Sequence, residues 1–147
     1  MRSPEEKEFE QRVVDLSRVT RVTKGGKRLR FRATVLVGDK KGRIGFGIGK
    51  SVDVAGASQK AFRRARKALV TIPLRNETIP YAVRAKSGAA VILMKPAPKG
   101  TGIKAGGPMR IVCELAGVPN MVGKILGTTK NKINIIKAMF KAIEQLK

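Results

Sequence analysis

Residues 26–50 decide how this chain folds: Gly26-Lys27-Arg28-Leu29-Arg30-Phe31-Arg32-Ala33-Thr34-Val35-Leu36-Val37-Gly38-Asp39-Lys40-Lys41-Gly42-Arg43-Ile44-Gly45-Phe46-Gly47-Ile48-Gly49-Lys50. Leu29, Phe31, Ala33, Val35 and Val37 alternate with Arg28, Arg30, Arg32, Thr34 and Leu36. A period of two marks a strand, and it predicts one core face and one solvated face carrying a ladder of three arginines. Gly38 to Gly42 reads as a turn and Arg43 to Ile48 as the next strand. Upstream, β-branched residues from Val13 to Thr23, mixed with Arg18 and Arg21, read as another strand, which Lys24-Gly25-Gly26-Lys27 ends as a turn. Three strands joined by tight turns predict an antiparallel meander.

Asp53 is placed to cap a helix over Val54–Val70, in which Val54, Ala57, Ala61, Phe62, Ala65, Ala68 and Leu69 recur at helical spacing. This first half reads β-β-β-α, with the helix covering one sheet face. Thr71 to Asn76 breaks the pattern, and we place a domain junction there. The second half predicts a strand near Tyr81–Lys86, a Ser87-Gly88 turn, and a central strand over Ala89–Met94 that is apolar on both faces. A long loop over 95–107 follows. Pro108 opens a short helix that Gly117 closes, Val122–Leu126 reads as a strand, and Asn131–Leu146 as a helix with Ile133, Ile136, Phe140 and Ile143 along one stripe. The start, Ser3-Pro4-Glu5-Glu6, carries a helix-entry signal. The expected organisation is an extension over 1–8, a first domain over 9–72 and a second over 73–147.

The 147 residues hold 32 Lys and Arg against 10 Asp and Glu, a formal charge of +22. Self-repulsion at that density calls for a polyanionic partner, either nucleic acid or an anionic membrane. No apolar stretch reaches the ~20 residues a spanning helix needs, and the opening is too acidic for a mitochondrial presequence, so we expect no membrane. Both halves are basic, with 19 basic and 7 acidic residues in 1–70 and 13 and 3 in 71–147, so both are expected to touch the polyanion. No histidine and one cysteine, Cys113, exclude Ser-His-Asp and Cys-His catalysis, a disulfide within the chain and a protein-only zinc site. We expect no catalytic residue, no metal, no cofactor and no small-molecule substrate.

The candidate contacts to a polyanion follow from sidedness. Arg28, Arg30 and Arg32 form the strand ladder, with no carboxylate between them, and Arg18, Arg21, Lys24, Gly25, Gly26, Lys27, Lys40, Lys41, Arg43 and Lys50 lie beside it. Lys60, Arg63, Arg64 and Lys67 fall on one helix face, for which plain exposure is a near-even alternative. Lys99 and Lys104 sit in the glycine-rich loop, where phosphate contact and simple mobility are equally good readings. Two nucleotide-site decoys are set aside. Gly49-Lys50-Ser51 lacks the upstream glycine of a phosphate loop, since Ile44 stands there, and Gly100-x-Gly102-x-x-Ala105 has no acidic residue about 20 positions on. Aromatic residues are few, with five Phe, one Tyr and no Trp, and Phe31, Phe62 and Phe140 fall on apolar stripes. Recognition should therefore run through phosphates, 2′-hydroxyls and shape, as in structured RNA. A free RNA chaperone or duplex-RNA regulator is the alternative, and a nucleotide-binding enzyme a distant third.

The run Gly26–Lys50, together with Lys99-Gly100-Thr101-Gly102-Ile103-Lys104-Ala105-Gly106-Gly107-Pro108-Met109-Arg110 and Glu114-Leu115-Ala116-Gly117-Val118, resembles the signatures of the bacterial small-subunit ribosomal protein S5 family. The resemblance covers about Phe9 to Leu146. It implies an α+β fold: an N-terminal domain like a double-stranded-RNA-binding domain, then a small α/β domain with a left-handed β-α-β crossover. It also implies a structural, cytoplasmic component of the ribosome that binds 16S ribosomal RNA, neighbours proteins S4 and S8, lies near the messenger-RNA entry and supports decoding accuracy. The hairpin Thr20, Arg21, Val22, Thr23, Lys24, Gly25, Gly26, Lys27 and Arg28 is the one the family associates with spectinomycin sensitivity.

Overall fold

The computed structural model describes residues 9–146, apart from the side chain of Arg21; the helix-entry signal at Ser3–Glu6 and the extension 1–8 lie outside the described residues. In chain order the elements are β1 (Glu10–Thr23), β2 (Gly26–Gly38), β3 (Arg43–Ser51), α1 (Val54–Lys67), β4 (Val70–Thr71), β5 (Val83–Ser87), β6 (Ala90–Pro96), β7 (Ile103–Lys104), α2 (Gly107–Ala116), β8 (Met121–Ile125) and α3 (Lys132–Gln145). They form two four-stranded sheets of order β1-β2-β3-β4 and β5-β6-β8-β7. The first is antiparallel throughout, and in the second only β7 and β8 run parallel, joined through α2. The chain is a two-domain α+β fold.

Glycine spacing seats the first helix. Gly45, Gly47 and Gly49 share one face of β3, and a Cβ on any of them would fall within 2.2–2.5 Å of the carbonyl oxygens of Ala65, Ala61 and Ala57. Those alanines recur every four residues on α1 and are fully buried. A row of missing side chains on the strand thus meets a row of minimal side chains on the helix, and the two backbones touch. Asp53 caps α1 by accepting the Gly56 N–H at 3.0 Å, as expected. The remainder of this layer is Phe9, Val35, Val37 and Phe62.

The other face of the first sheet is where the alternation misleads. Thr34 and Leu36 stand on the arginine side of β2, yet both are fully buried. Leu36 and Ile44 belong to one core with Met109, Leu115, Met121, Ile136 and Met139 of the second half. Helices α2 and α3 contact elements of both sheets, so the layers run α1, first sheet, α2 with α3, second sheet. The ladder face is therefore solvated only over its outer part.

A backbone clasp fixes this interface. The N–H groups of Lys40 and Gly42 donate to the carbonyls of Leu115 and Ala116 at 2.9 and 2.8 Å, satisfying the orphan acceptors at the end of α2. Gly117 ends the helix at φ +80, and a Cβ there would lie 2.3 Å from the Lys40 carbonyl. Asp39 organises the turn, accepting from the Lys41 and Arg43 N–H groups and from Arg43 Nε at 2.6 Å. Burial alone would raise its pKa; the three donors outweigh that and hold it below the ordinary value of 3.8.

Several expected boundaries shift. β1 starts at Glu10 rather than Val13, because it pairs with β2 along its whole length, with a bulge between Val13 and Asp15. The helix expected to reach Val70 ends at Lys67, and Val70 pairs instead with Ile44 as β4. Val54 and Ala68 are accordingly exposed rather than core. Leu29 is 51% exposed, since β2 there has run beyond the helix that would cover it. Phe31 is half-buried under the Arg18 guanidinium, 5.8 Å from the ring centroid. The strand expected at Tyr81–Lys86 is Val83–Ser87, followed by a turn at Gly88-Ala89. The 95–107 loop is pinned, not free: Gly102 N–H donates to Asn120 Oδ1, Ala97 N–H to Thr78 Oγ1, and Ile103–Lys104 pairs with β8.

Candidate nucleic-acid interface

Past Phe31, which still pairs with Ser51 of β3, β1 and β2 leave the body of the protein as a bare two-stranded hairpin. From Phe31 to Gly26 is five residue steps, about 17 Å of strand. Its end is a two-residue turn at Lys24-Gly25, shorter than the four-residue turn expected, because Thr23 still pairs with Gly26 and its hydroxyl donates to the Gly26 carbonyl at 3.0 Å. Gly26 takes φ +130, a region L side chains rarely enter.

Antiparallel register places Arg28, Arg30 and Arg32 on one face, opposite Arg21, Val19 and Ser17 of β1. Lys50 of β3 joins them directly across from Arg32. Val19, Thr20, Thr23, Arg28, Arg30 and Lys50 line an open groove of about 610 Å³. None of its lining residues is acidic. Inward from the groove, Ser17 Oγ, Arg32 Nε and Thr34 Oγ1 are buried with no hydrogen-bond partner among the described residues. Polar atoms therefore continue from the groove toward the interface core.

The remaining expected residues separate into three groups. Lys24, Gly25, Gly26 and Lys27 sit exposed at the hairpin tip, and Lys41, Arg63, Lys67 and Lys99 are exposed elsewhere. Arg18 lies on the opposite face of the hairpin, against Phe31. Others have protein work. Lys40 pairs with Glu10 at 3.0 Å, and Arg43 with Asp39 while stacking over Phe9 at 5.2 Å. Lys60 Nζ and Arg64 Nη1 donate to the carbonyls of Lys50 and Ile48 at 3.2 and 2.6 Å. Those carbonyls lie beyond the short β4 pairing, so the two cations blunt an edge strand that would otherwise invite another chain.

Gly49-Lys50-Ser51 lies within β3 and not in a loop, and Gly49 serves to seat α1, so a phosphate-loop role has no structural place. Cys113 is buried, which pushes its thiol up to about 12, helped by neighbouring Glu114. No cluster of metal-binding side chains occurs among the described residues, and no described helix is long and apolar enough to cross a membrane. The structure also brings together residues that no local sequence signal singles out: Arg84, Lys86 and Lys124 share an exposed sheet face with Lys95 and Lys104 of the glycine-rich loop.

Comparison with known proteins bears on these surfaces. Residues 9–73 match the family described as ribosomal protein S5, N-terminal domain, and residues 85–147 match ribosomal protein S5, C-terminal domain. A curated relative, the small ribosomal subunit protein uS5 of Mycoplasmopsis agalactiae, is 48% identical over 141 residues, which cover 95% of this chain and 61% of that protein. The chain thus spans about three fifths of that relative's length. The two matched segments, the two-sheet α+β fold and the signature residues at the clasp and hairpin agree: this chain belongs to the ribosomal protein S5 family, a family of structural ribosomal proteins and not of enzymes.

Proposed function

We propose that this chain is a structural constituent of the small ribosomal subunit, cytoplasmic with the ribosome, that binds 16S ribosomal RNA through the β1–β2 hairpin and the groove at its base. The observation that carries this is the groove itself: Arg28, Arg30 and Lys50 converge on about 610 Å³ with no acidic residue in its wall. No aromatic residue lines it either, which suits phosphate and ribose contact better than base stacking.

The length of the hairpin suits insertion between RNA elements, and we assign its tip, Thr20 to Arg28, to the head–body junction and the spectinomycin response. Neighbouring proteins S4 and S8, nearby messenger RNA and a role in decoding accuracy complete the proposal; family membership supports them. A free duplex-RNA regulator would need only the first domain, whereas here Leu36 and Ile44 are committed to a core shared with the second.

The test is equilibrium binding of the whole chain to a 16S RNA transcript across a salt series. With about 6–10 phosphates contacted, affinity should fall by roughly three to five decades between 50 and 200 mM salt, on the duplex-DNA scale. Affinity that hardly changes with salt would sink the proposal, as would release from 30S particles on sedimentation in moderate salt.

A further inference from the structure

The second sheet has one face that no other described element covers. Val83, Ala85, Ala90, Ile92, Met94 and Met121 point into the core shared with α2 and α3. The alternate residues point away, and register sorts them into rows. Arg84 of β5 stands beside Leu93 of β6, which stands beside Lys124 of β8. One row along, Lys95 of β6 stands beside Val122 of β8, which stands beside Lys104 of β7. Lys86 adjoins Val91 at the other end. All five cations are exposed, whereas Val91 and Leu93 are half-buried.

Each of the two full rows has an apolar centre flanked by cations two strand spacings apart, on the order of 10 Å. No carboxylate lies on the four strands of this sheet. The three acids of the second half are elsewhere: Glu77 precedes β5, Glu144 is on α3, and Glu114 on α2 is held by Arg12 and Arg110. No ion pair joins any of the five cations to a carboxylate among the described residues.

We infer that this face is a second RNA-binding surface, engaging the sugar–phosphate backbones along a shallow groove of structured RNA, independently of the hairpin. The inference rests on the RNA-binding role proposed above and adds a site to it. Charge complementarity selects the occupant. Protein interfaces are depleted in lysine at their centres and anchored by aromatic residues or arginine in pockets. This face has four lysines, one arginine, no aromatic residue and no pocket wall. The broad minor groove of an A-form helix displays riboses between two lines of phosphate. Val91, Leu93 and Val122 can lie against riboses while the flanking cations reach phosphates on either side.

The experiment compares three whole chains on a 16S RNA transcript across a salt series: the unaltered protein, R84Q/K95Q/K124Q, and R28Q/R30Q/K50Q. Circular dichroism and melting serve as folding controls. If the face binds RNA, R84Q/K95Q/K124Q keeps its fold, weakens binding about 10–100-fold at 100 mM salt, and makes the salt slope shallower by roughly two to three. If R28Q/R30Q/K50Q loses affinity while R84Q/K95Q/K124Q binds like the unaltered chain, the inference is overturned and the RNA-binding role stands. If the unaltered chain does not bind the transcript at all, both fail. Should R84Q/K95Q/K124Q bind RNA normally yet lose a neighbouring ribosomal protein from reconstituted particles, the occupant is a protein, and the inference is again overturned.

Discussion

One pair of strands serves two purposes at its two ends. Between Ala33 and Gly38, β2 is buried on both faces, by α1 on one side and by α2 on the other. Between Gly26 and Arg30 the same strand is exposed throughout. The inner end has no cation, whereas Lys27, Arg28 and Arg30 all lie on the outer end. The contrast predicts that substitutions along a single strand will divide between those that unfold the protein and those that only cost it its partner, with the boundary at Arg32.

The inner end should give the largest stability effect. Gly47→Val places a Cβ where the Ala61 carbonyl oxygen lies 2.2 Å away and the Ala65 nitrogen 2.5 Å away, and neither backbone can yield without moving α1. Overpacking of this kind costs about 3 kcal/mol or more. The expected result is a chain that melts well below the unaltered one or does not fold; a melting curve within a few degrees of it would show that α1 can lift off the sheet cheaply.

Leu36→Ala comes next, at about 2–5 kcal/mol for a fully buried leucine. Because Leu36 packs into the second half's core, the loss should lower one cooperative transition for the whole chain. Two separate transitions, only the first of them shifted, would mean that the halves are energetically independent despite sharing a core.

At the outer end, R28Q/R30Q/R32Q should flatten the salt slope of RNA binding by roughly two to three while shifting stability by no more than about 1 kcal/mol. Arg32 is the informative member, since it is half-buried at the boundary. Loss of the far-ultraviolet dichroism signal in the triple variant would place the boundary further out than Arg32.

Much of this division is legible in the chain, and the misreadings share one cause. The meander, the Asp53 cap, the Gly117 helix end and the stripe of Ile136, Phe140 and Ile143 depend on neighbours a few residues away, and local patterns predict them. Leu36 reads as part of a solvated face because its cover, α2, lies some seventy residues later. Gly45 and Gly47 read only as residues of a strand and Gly49 as part of a rejected phosphate loop, and only their meeting with Ala57, Ala61 and Ala65 explains all three. The shared face of the second sheet escapes a local reading for the same reason: Lys104 is singled out by its own loop, but Arg84, Lys95, Lys104 and Lys124 are on four strands, and register alone brings them together. A ladder within one strand can be read from sequence; a row across strands cannot.

The clasp at Asp39 supplies a smaller, pH-dependent effect on the inner end. The carboxylate side chain is 2% exposed and its pKa is held below 3.8 in the folded protein, so the unfolded chain binds a proton more readily. Its contribution is therefore complete above the ordinary carboxylate pKa and is lost as pH falls through the lower, folded value. Glu114, lowered chiefly by hydrogen bonds from Arg12 and Arg110, acts in the same direction. Melting measured from pH 6 down to pH 2.5 should fall for the unaltered protein, and less steeply for Asp39→Asn, which should cost roughly 1–2 kcal/mol at neutral pH. Equal slopes for the two proteins would remove Asp39 from the acid response.

The smallest effect on stability belongs to the hairpin tip, where two adjacent glycines make different predictions. A Cβ added to Gly25 would meet nothing within 4 Å, and its backbone is not left-handed, so Gly25→Val has neither clash nor strain to overcome. Gly26 has the same open space, but its φ of +130 is a conformation valine rarely adopts. Local backbone strain of this kind costs on the order of 1–3 kcal/mol where the surroundings hold it in place. No described residue comes within 4 Å of a Cβ at either glycine, so the chain can relieve most of that strain by opening the last pair, Thr23 with Gly26, at little cost to the distant core. Gly26→Val should therefore melt within about 2 °C of the unaltered protein, while amides near the tip exchange faster and RNA affinity drops several-fold; Gly25→Val should change none of the three. Drug response in cells relying on each variant gives the corresponding functional reading, with altered spectinomycin sensitivity expected for Gly26→Val alone. If both valines behave alike, the shape of the turn is irrelevant, and the tip contributes only the charges of Lys24 and Lys27.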